Sequence, residues 1–303
     1  MAKRKTSVSA IAFKVRYLKR SRELYRRYLE TKPWIRPLYK TFLGLRPRLR
    51  IVDVGCGTGD FTRYLAELID GRCRIIGVDM RAQSSRTAVE ETQKAGLASR
   101  ITYRKGDAYN IPIHDRYADL TCCRTLLMHL TDPLKAVGEM ARITKKGGTV
   151  AAVERGKMHS FYDPDDEKYT GLADSLGEAY LRGVRKLEGK DYAIGDRLPS
   201  IFLKAGLGEL RAEVQPDPWL FCDARRKLED VRAEIIFELQ TFREAKKLER
   251  KMMLAGGAKS EEVTTLFQKY ETKMTQLLSD DEKLRNSAVF YGGGLYLVAG
   301  RKM

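Results

Sequence analysis

Residues 51–60 read IVDVGCGTGD, and this stretch constrains the fold more than any other part of the chain. An apolar run that predicts a buried strand is followed by glycine at every second position, Gly55, Gly57 and Gly59. Glycines at this spacing suit a backbone that turns sharply and comes close to another group. Apolar residues at helical spacing follow Asp60, so the stretch predicts a strand, a tight loop and a helix.

The same alternation of strand and helix continues along the first half of the chain. Four more strands are predicted from apolar runs, at residues 73–79, 101–107, 117–123 and 147–154. Strands that alternate with amphipathic helices form a parallel sheet that is covered on both faces. Two final strands, at 207–214 and 288–300, are predicted to pair antiparallel. The expected fold class is therefore α/β, with a seven-stranded sheet whose last strand is antiparallel and helices on both faces.

The distribution of charge and of helical pattern predicts three regions. Residues 1–50 hold 16 Lys and Arg against two Glu, a net charge of +14, whereas the rest of the chain carries only +3. Residues 1–44 are accordingly predicted to be a basic N-terminal helical arm that acts as a lid. Residues 222–286 have almost pure helical pattern, divided by two glycines, and predict an inserted helical hairpin. The main domain is expected to comprise residues 45–221 and 287–303.

Composition excludes several classes of protein. No apolar run approaches the ~18 residues that a membrane-spanning helix needs, and the N-terminus lacks the pattern of a signal peptide. The five cysteines form no CxxC pair, which argues against both a disulfide framework and a zinc site. We therefore expect a cytoplasmic protein that is not an integral membrane protein and holds no metal.

The glycine loop points to a particular class of ligand. A dinucleotide site has the pattern GxGxxG, but here the third glycine comes one residue early and Asp60 occupies its place, where it would repel a pyrophosphate. A ligand with a single carboxylate balanced by an ammonium group, such as S-adenosylmethionine, tolerates this loop better. Asp79 ends the second strand, 20 residues after Gly59. A carboxylate at this sequence spacing binds the hydroxyls of an unphosphorylated ribose. Asp107, after the third strand, is placed to accept from an adenine amino group.

Four ordered motifs carry a resemblance to a known family. They are VDVGCGTGDFTRYLAEL, IIGVDM, GDAYNIPI and DLTCCRTLLMHLTDP, each at the end of a predicted strand. Together they resemble the class I S-adenosylmethionine-dependent methyltransferases, in particular the ubiquinone/menaquinone and small-molecule group. The resemblance covers residues 45–155 well. It implies a Rossmann-like sheet, S-adenosylmethionine as cofactor and S-adenosylhomocysteine as product.

The resemblance also implies roles for residues of the glycine loop. Asp53 and Gly55 are expected to hold the amino end of the methionine moiety. Gly57 and Gly59 are expected at its carboxylate, and Thr58 between them is counted among the binding residues.

Further binding roles follow for residues at the other strand ends. Asp79 is expected to bind the ribose, with Met80 against the adenine face. Asp107 and the backbone amide of Ala108 are expected to contact the adenine edge. Arg124 and Thr125, just past the fourth strand, are expected to lie along the methionine chain and the sulfonium.

Catalytic residues are harder to choose, because methyl transfer from a sulfonium depends mainly on proximity and alignment. A base is needed only if the acceptor arrives protonated. The local candidates are Glu154, at the end of the fifth strand, and His159, Tyr162 and Asp163 after it. For each of them a structural role, such as capping the long helix predicted to open at Asp163-Pro164, stays open.

Three functions remain open on the sequence. The first is methyl transfer to a small or medium-sized acceptor. The second keeps the cofactor but makes tRNA or rRNA the substrate, using the basic arm, although the chain lacks the N/D-P-P-Y sequence of amino-methylating nucleic-acid enzymes. The third is a non-catalytic binding module. Contact of residues 1–50 with RNA or an anionic surface and homodimerisation through the nearly neutral hairpin at 222–286 are the expected partner interactions.

Overall fold

The structure is a computed structural model that describes residues 31–303, without the side chains of residues 82–85, 158–160 and 291. Most of the basic N-terminal arm lies outside the described residues. The chain divides into two compact units. The sheet unit comprises Arg36–His159, Val184–Pro218 and Gly292–Met303, and the helical unit comprises residues 31–35, Ser160–Gly183 and Trp219–Tyr291.

Seven strands form one sheet, in the order β3-β2-β1-β4-β5-β7-β6. Their bounds are β1 Arg50–Val54, β2 Arg74–Asp79, β3 Ile101–Lys105, β4 Ala118–Arg124, β5 Thr144–Tyr162, β6 Leu207–Leu220 and β7 Phe290–Lys302. Strands β1 to β5 pair in parallel, and the final strand of the chain, β7, is antiparallel as expected. Strand order reverses between β1 and β4, and this is the point at which open α/β sheets bind ligands.

Nine α-helices are found between residues 31 and 303. They are α1 Ile35–Phe42, α2 Asp60–Glu67, α3 Ala82–Lys94, α4 Pro133–Ile143, α5 Glu167–Glu188, α6 Leu198–Lys204, α7 Leu228–Ala255, α8 Ser260–Leu278 and α9 Asp281–Arg285. Short 3₁₀ turns lie at Leu127–His129 and Ile194–Arg197. Within the described part of the chain, no helix is both long enough and apolar enough to cross a bilayer.

The core of the sheet unit contains the apolar residues of the central strands and the helices against them. Val52 and Val54 of β1 and Ile76 and Val78 of β2 are buried at 5% exposure or less. Nearly continuous apolar strands of this kind are typical of a parallel sheet covered on both faces. The sheet is thereby held rigid, which fixes the positions of the loops at its edges.

Three elements differ clearly from the sequence prediction. Strand β6, predicted at 207–214, runs six residues further, to Leu220. Strand β5 runs eight residues further than predicted, to Tyr162, and α5 begins at Glu167 rather than directly after Asp163. Asp163 is buried at 1% exposure and pairs with Lys273 Nζ at 3.0 Å, so it is not the helix cap. Asp166 accepts the N–H of Tyr169 at 2.9 Å and takes that role. The prediction failed because the ion pair joins residues 110 positions apart, which local pattern does not reveal.

The helical unit contains the long helices that the 222–286 pattern predicted. Val231, Ile235 and Leu239 of α7 are buried in one cluster with apolar residues of α8 and α9. Two glycines let backbones approach closely: a Cβ on Gly183 would lie 1.7 Å from the Met252 carbonyl oxygen, and one on Gly256 would lie 1.8 Å from that of Ala179. Gly256 therefore separates α7 from α8 and also allows its backbone to pack closely against Ala179.

Candidate cofactor site

The carboxyl ends of four parallel strands bring most of the predicted binding residues to one edge of the sheet. The register pairs Val54 of β1 with Val78 of β2 and with Cys123 of β4. It also pairs Asp79 with Lys105 of β3. Asp79 and Arg124 are the last residues of β2 and β4, and the glycine loop and the 107–108 turn come shortly after β1 and β3. Residues far apart in the chain thus lie on adjacent strands.

The glycine loop has the geometry that the sequence predicted. Gly55, Gly57 and Gly59 all have left-handed backbone, with φ of 72°, 52° and 78°. A Cβ on Gly55 would lie 2.6 Å from Leu126, whereas one on Gly57 would meet nothing within 4 Å. The loop is therefore packed at its first glycine and open at its second. Gly57 is the point where a ligand can approach the backbone.

Asp79 connects the glycine loop to the end of β2. Its Oδ2 accepts the N–H of Gly57 at 3.0 Å, and its Oδ1 accepts the N–H of Arg81 at 2.8 Å. The side chain is only 7% exposed. A carboxylate offers about four acceptor positions, so two remain for the hydroxyls of a ribose. Met80, next in the chain, is 66% exposed, which suits a platform for an aromatic ring.

Tyr103 packs against the glycine loop and against Gly77 of β2, a role that the sequence did not predict. A Cβ on Gly77 would lie 2.6 Å from the Tyr103 ring, and one on Gly59 would lie 2.2 Å from its Oη. Tyr103 Oη also hydrogen-bonds Thr92 Oγ1 at 2.8 Å. A glycine inside a strand marks a close approach, so Gly77 was the signal that could have revealed this packing.

Two acids near the loop are engaged by neighbouring side chains. Asp53 is 1% exposed and accepts the Thr62 hydroxyl at 2.6 Å, and burial raises its pKa to about 7. Asp60 pairs with Arg63 at 2.7 Å and accepts the Thr58 hydroxyl at 2.8 Å. The charge of Asp60 is thus compensated within the loop. Its repulsion of a pyrophosphate is weaker than the sequence alone suggested.

The remaining cofactor candidates lie in the turn after β3 and at the end of β4. Asp107 is exposed and its Oδ1 accepts the N–H of Tyr109 at 2.9 Å, while Ala108 is half-buried. The Arg124 guanidinium lies 5.8 Å from the ring centroid of Phe61. Thr125 has a φ of 49°, a left-handed conformation that costs energy for a β-branched residue. Strain of this kind is concentrated at functional sites.

Glu154 is fully buried within β5, eight residues before the strand ends, and holds the turn that follows β4. Its Oε1 accepts the N–H groups of Leu126 at 2.9 Å and Leu127 at 2.7 Å. Its Oε2 is buried without a hydrogen-bond partner among the described residues. Burial raises the pKa of Glu154 to about 7, against the lowering effect of the Leu127 and Leu126 amides.

Of the other catalytic candidates, His159 belongs to the same unit as Glu154, whereas Tyr162 and Asp163 belong to the helical unit. Tyr162 is 46% exposed and belongs to the helical unit, whereas Glu154 belongs to the sheet unit. The side chain of His159 lies outside the described residues. Within residues 31–303, the side chains that the structure describes form no group of three or more His, Cys, Asp or Glu suited to a metal ion.

The raised pKa of Glu154 has a consequence for stability. Between its ordinary pKa of 4.5 and the folded value of about 7, the folded chain holds a proton that the unfolded chain has released. The contribution of this proton to the free energy of unfolding is fully present below pH 4.5 and is lost as pH rises through 7. We expect about 3 kcal/mol of unfolding free energy to disappear across this range through Glu154, because a pKa difference of one corresponds to about 1.4 kcal/mol.

Urea unfolding at a series of pH values measures this effect. Glu154→Gln should remove the Glu154 part of the decline, while the part that Asp53 contributes in the same direction remains. A Gln variant whose stability declines as steeply as that of the wild type would contradict the assignment.

Comparison with known sequences supports the interpretation of this edge. The model of a family described as a methyltransferase domain matches residues 52–152. An uncharacterized methyltransferase of Schizosaccharomyces pombe is 30% identical over 150 residues, which cover 46% of this chain and 52% of the relative. A ubiquinone/menaquinone biosynthesis C-methyltransferase, UbiE of Vibrio vulnificus, is 28% identical over 146 residues, covering 47% and 55%. The chain spans about half the length of these curated relatives.

Solved structures show the same fold. BH2331 of Bacillus halodurans, described as a candidate methyltransferase, has a TM-score of 0.51 at 18% identity and is matched over 88% of this chain and 98% of its own. YcgJ of Bacillus subtilis has a TM-score of 0.50 at 17% identity, over 88% and 97%. Residues 52–152 thus match a methyltransferase domain, the fold is the one that these solved structures have, and the motifs at the strand ends resemble those of the class I S-adenosylmethionine-dependent methyltransferases.

Proposed function

We propose that the protein transfers a methyl group from S-adenosylmethionine to a small or medium-sized acceptor and releases S-adenosylhomocysteine. The observation that carries the proposal is the hydrogen bond from the Gly57 amide to Asp79. It joins an open glycine loop to an acid with free acceptor positions, at the place where strand order reverses.

The residues at this edge fit the two ends of the cofactor. A methionine carboxylate would lie against the backbone at Gly57, where a Cβ would meet only open space. The ribose hydroxyls would donate to Asp79, and Met80 would lie against the adenine face. Asp107 and the Ala108 amide would contact the adenine edge, as the family resemblance implies.

The chemistry requires little from the protein beyond alignment. The bound sulfonium supplies an activated methyl group with a good leaving group. The chain contributes by holding that group in line with the acceptor and by excluding competing water. The turn at Arg124 and Thr125 would border the sulfonium, and the rigid packing of β4 and β5 would keep it in place.

We propose that Glu154 acts on this turn as a positioning residue. Its carboxyl group is fully buried and accepts the amides of Leu126 and Leu127, just after Thr125. A group held in this way orients the loop without needing to contact the acceptor. His159 and Tyr162 remain the proposed candidates for a base, if the acceptor arrives protonated.

The acceptor class rests on the relatives and on the absence of nucleic-acid motifs in the sequence. UbiE of Vibrio vulnificus is named as a C-methyltransferase of ubiquinone and menaquinone biosynthesis, and this name favours an organic molecule over a nucleic acid as acceptor. RNA as acceptor depends on the basic arm, of which only residues 31–50 are described. Nothing in those residues favours RNA as the methyl acceptor over a small molecule.

Calorimetry with S-adenosylhomocysteine tests the cofactor assignment. We expect one binding site per chain, with NAD as the control ligand giving no heat of binding. Binding of NAD with no binding of S-adenosylhomocysteine would contradict the proposal. Incubation of the protein and a small-molecule extract with S-adenosylmethionine labelled on its methyl group would then identify the acceptor by mass.

Homodimerisation through the helical hairpin also remains a proposal. Helix α7 exposes large apolar side chains at Ile236 and Leu248, at 41% and 51%. Such residues suit a protein interface when they form a continuous patch.

Cytoplasmic location likewise stays a prediction from the cysteine pattern.

A further inference from the structure

The edge of the sheet opposite the cofactor site carries a cluster of exposed arginines. Strand β1 begins at Arg50 and β2 at Arg74, and the register pairs these two residues directly. The Arg48 N–H donates to the Arg72 carbonyl at 2.6 Å, which places the preceding residues side by side as well. All four residues are exposed.

Further cations extend this cluster along the starts of the strands. We use the term basic edge for seven exposed residues: Arg46, Arg48, Arg50, Arg72, Arg74, Arg116 and Lys146. Arg116 lies two residues before β4, and Lys146 lies at the beginning of β5. No ion pair connects any of the seven to a carboxylate within residues 31–303.

The acids near the basic edge are already bound by other cations. Asp119 accepts the N–H of Arg50 at 2.8 Å and pairs with Lys145. Asp115 pairs with Arg142 at 2.6 Å. Asp119 and Asp115 also lie within electrostatic reach of Arg50 and Arg116, but two shared acids do not balance seven cations. Like charges at paired strand positions are destabilising, and a bound anion would relieve their repulsion.

A cavity adjoins the basic edge. It has a volume of about 390 Å³ and shares Arg46 and Lys146 with the edge. Its other charged lining residues are three cations and two acids: Lys145, Arg211, Arg301, Asp119 and Glu209. The cavity is positive on balance and large enough for a phosphate with its sugar.

We propose that the basic edge binds RNA through its phosphate backbone. Six of the seven cations are arginines, whose planar guanidinium matches a phosphate with two parallel hydrogen bonds. They lie at or near the starts of neighbouring strands. Because adjacent strands are about 4.8 Å apart, the cations form a row rather than a scattered patch. The Arg50 guanidinium lies 5.6 Å from the ring centroid of the half-buried Tyr117, and the exposed His114 ring meets that ring edge-on, so an aromatic side chain lies beside the row of cations.

An anionic membrane is the weaker alternative. Proteins that lie on a bilayer insert apolar side chains between the lipids. On the segments that carry the basic edge, residues 46–50, 72–74, 114–117 and 145–149, no large apolar side chain is exposed. The basic edge also lies opposite the cofactor site, so the RNA would dock there and would not be the methyl acceptor.

Fluorescence anisotropy with a labelled 20-nucleotide single-stranded RNA tests the proposal, without cofactor, from 50 to 300 mM KCl. The variant carries Arg48→Gln, Arg72→Gln and Arg74→Gln. Each lost phosphate contact should lower the slope of log affinity against log salt by about 0.7, and the affinity at 0.1 M salt by about fivefold. The triple variant should therefore bind roughly 100-fold more weakly.

A matched control keeps net charge equal. It carries Lys168→Gln, Lys247→Gln and Lys251→Gln, three exposed lysines of the helical unit. We expect its RNA affinity to stay within threefold of wild type. Equal losses in both triple variants would show an effect of net charge only and would overturn the proposal.

Two further measurements distinguish RNA binding from a loss of folding and from contact with a membrane. Thermal melting of the triple variant should match or exceed wild type, because self-repulsion has been removed. If it does not fold, the Arg72→Gln, Arg74→Gln double variant replaces it, with roughly a 20-fold loss expected from two contacts. If the variant loses co-sedimentation with phosphatidylserine vesicles while its RNA affinity is unchanged, the edge contacts membrane and the proposal fails. None of these outcomes depends on binding of S-adenosylhomocysteine.

Discussion

Asp79→Ala should weaken the binding of S-adenosylhomocysteine by roughly 1,000-fold. Two hydrogen bonds from the ribose hydroxyls to a charged carboxylate are each worth about 2 kcal/mol, and both would be lost. The substitution also removes the acceptor for the Gly57 amide, so the glycine loop loses its connection to β2. Isothermal titration calorimetry measures the affinity directly.

Asp119→Ala is the matched control for this experiment. Asp119 also accepts a backbone N–H at a strand end, but it lies at the opposite edge of the sheet. We expect its loss to reduce stability without changing the affinity for S-adenosylhomocysteine. Asp79→Asn, which keeps the shape of the side chain, separates loss of charge from loss of folding. Unchanged affinity in a folded Asp79→Ala variant would contradict the site.

Gly57→Ala should abolish binding of S-adenosylhomocysteine while leaving the protein folded. The residue has a φ of 52°, so alanine costs about 1–2 kcal/mol of stability in this left-handed conformation. Its Cβ would meet no protein atom within 4 Å, so the fold accommodates it. The methyl group would instead occupy the space where the methionine carboxylate approaches the backbone.

Gly96→Ala provides the comparison. Gly96 has a φ of 68°, and a Cβ there would also meet nothing within 4 Å. It follows α3, where the sequence predicts no ligand. Both variants should lose similar stability in urea unfolding, and only Gly57→Ala should lose binding in calorimetry. Equal affinities in the two variants would remove the open glycine from the proposed site.

Much of the fold could be predicted from sequence because its signals are local. The apolar run before Gly55 and the helical pattern after Asp60 each depend on residues within a few positions. The two final strands and the long helices of 222–286 were identified for the same reason. The long helix was predicted to open at Asp163-Pro164 but begins at Glu167, and the pairing of Asp163 with Lys273 joins residues too far apart for local pattern to reveal.

The proposed binding site was predictable only in part. Its residue types follow from strand ends that meet at one edge of a parallel sheet, so Asp79 and the glycines could be chosen beforehand. Tyr103, which supports Gly59 and Gly77, was missed because its contacts cross between strands. The burial of Glu154 and its bonds to Leu126 and Leu127 also needed the tertiary structure.

The sequence by itself determined the alternation of strand and helix, the glycine loop and the acids at the strand ends. Each of these depends on backbone preferences and periodicity over short distances. Only the tertiary structure decided which groups face one another. The Gly57 amide meets the Asp79 carboxylate, and Arg50 stands beside Arg74 at the other edge, because parallel pairing fixes the register of distant segments.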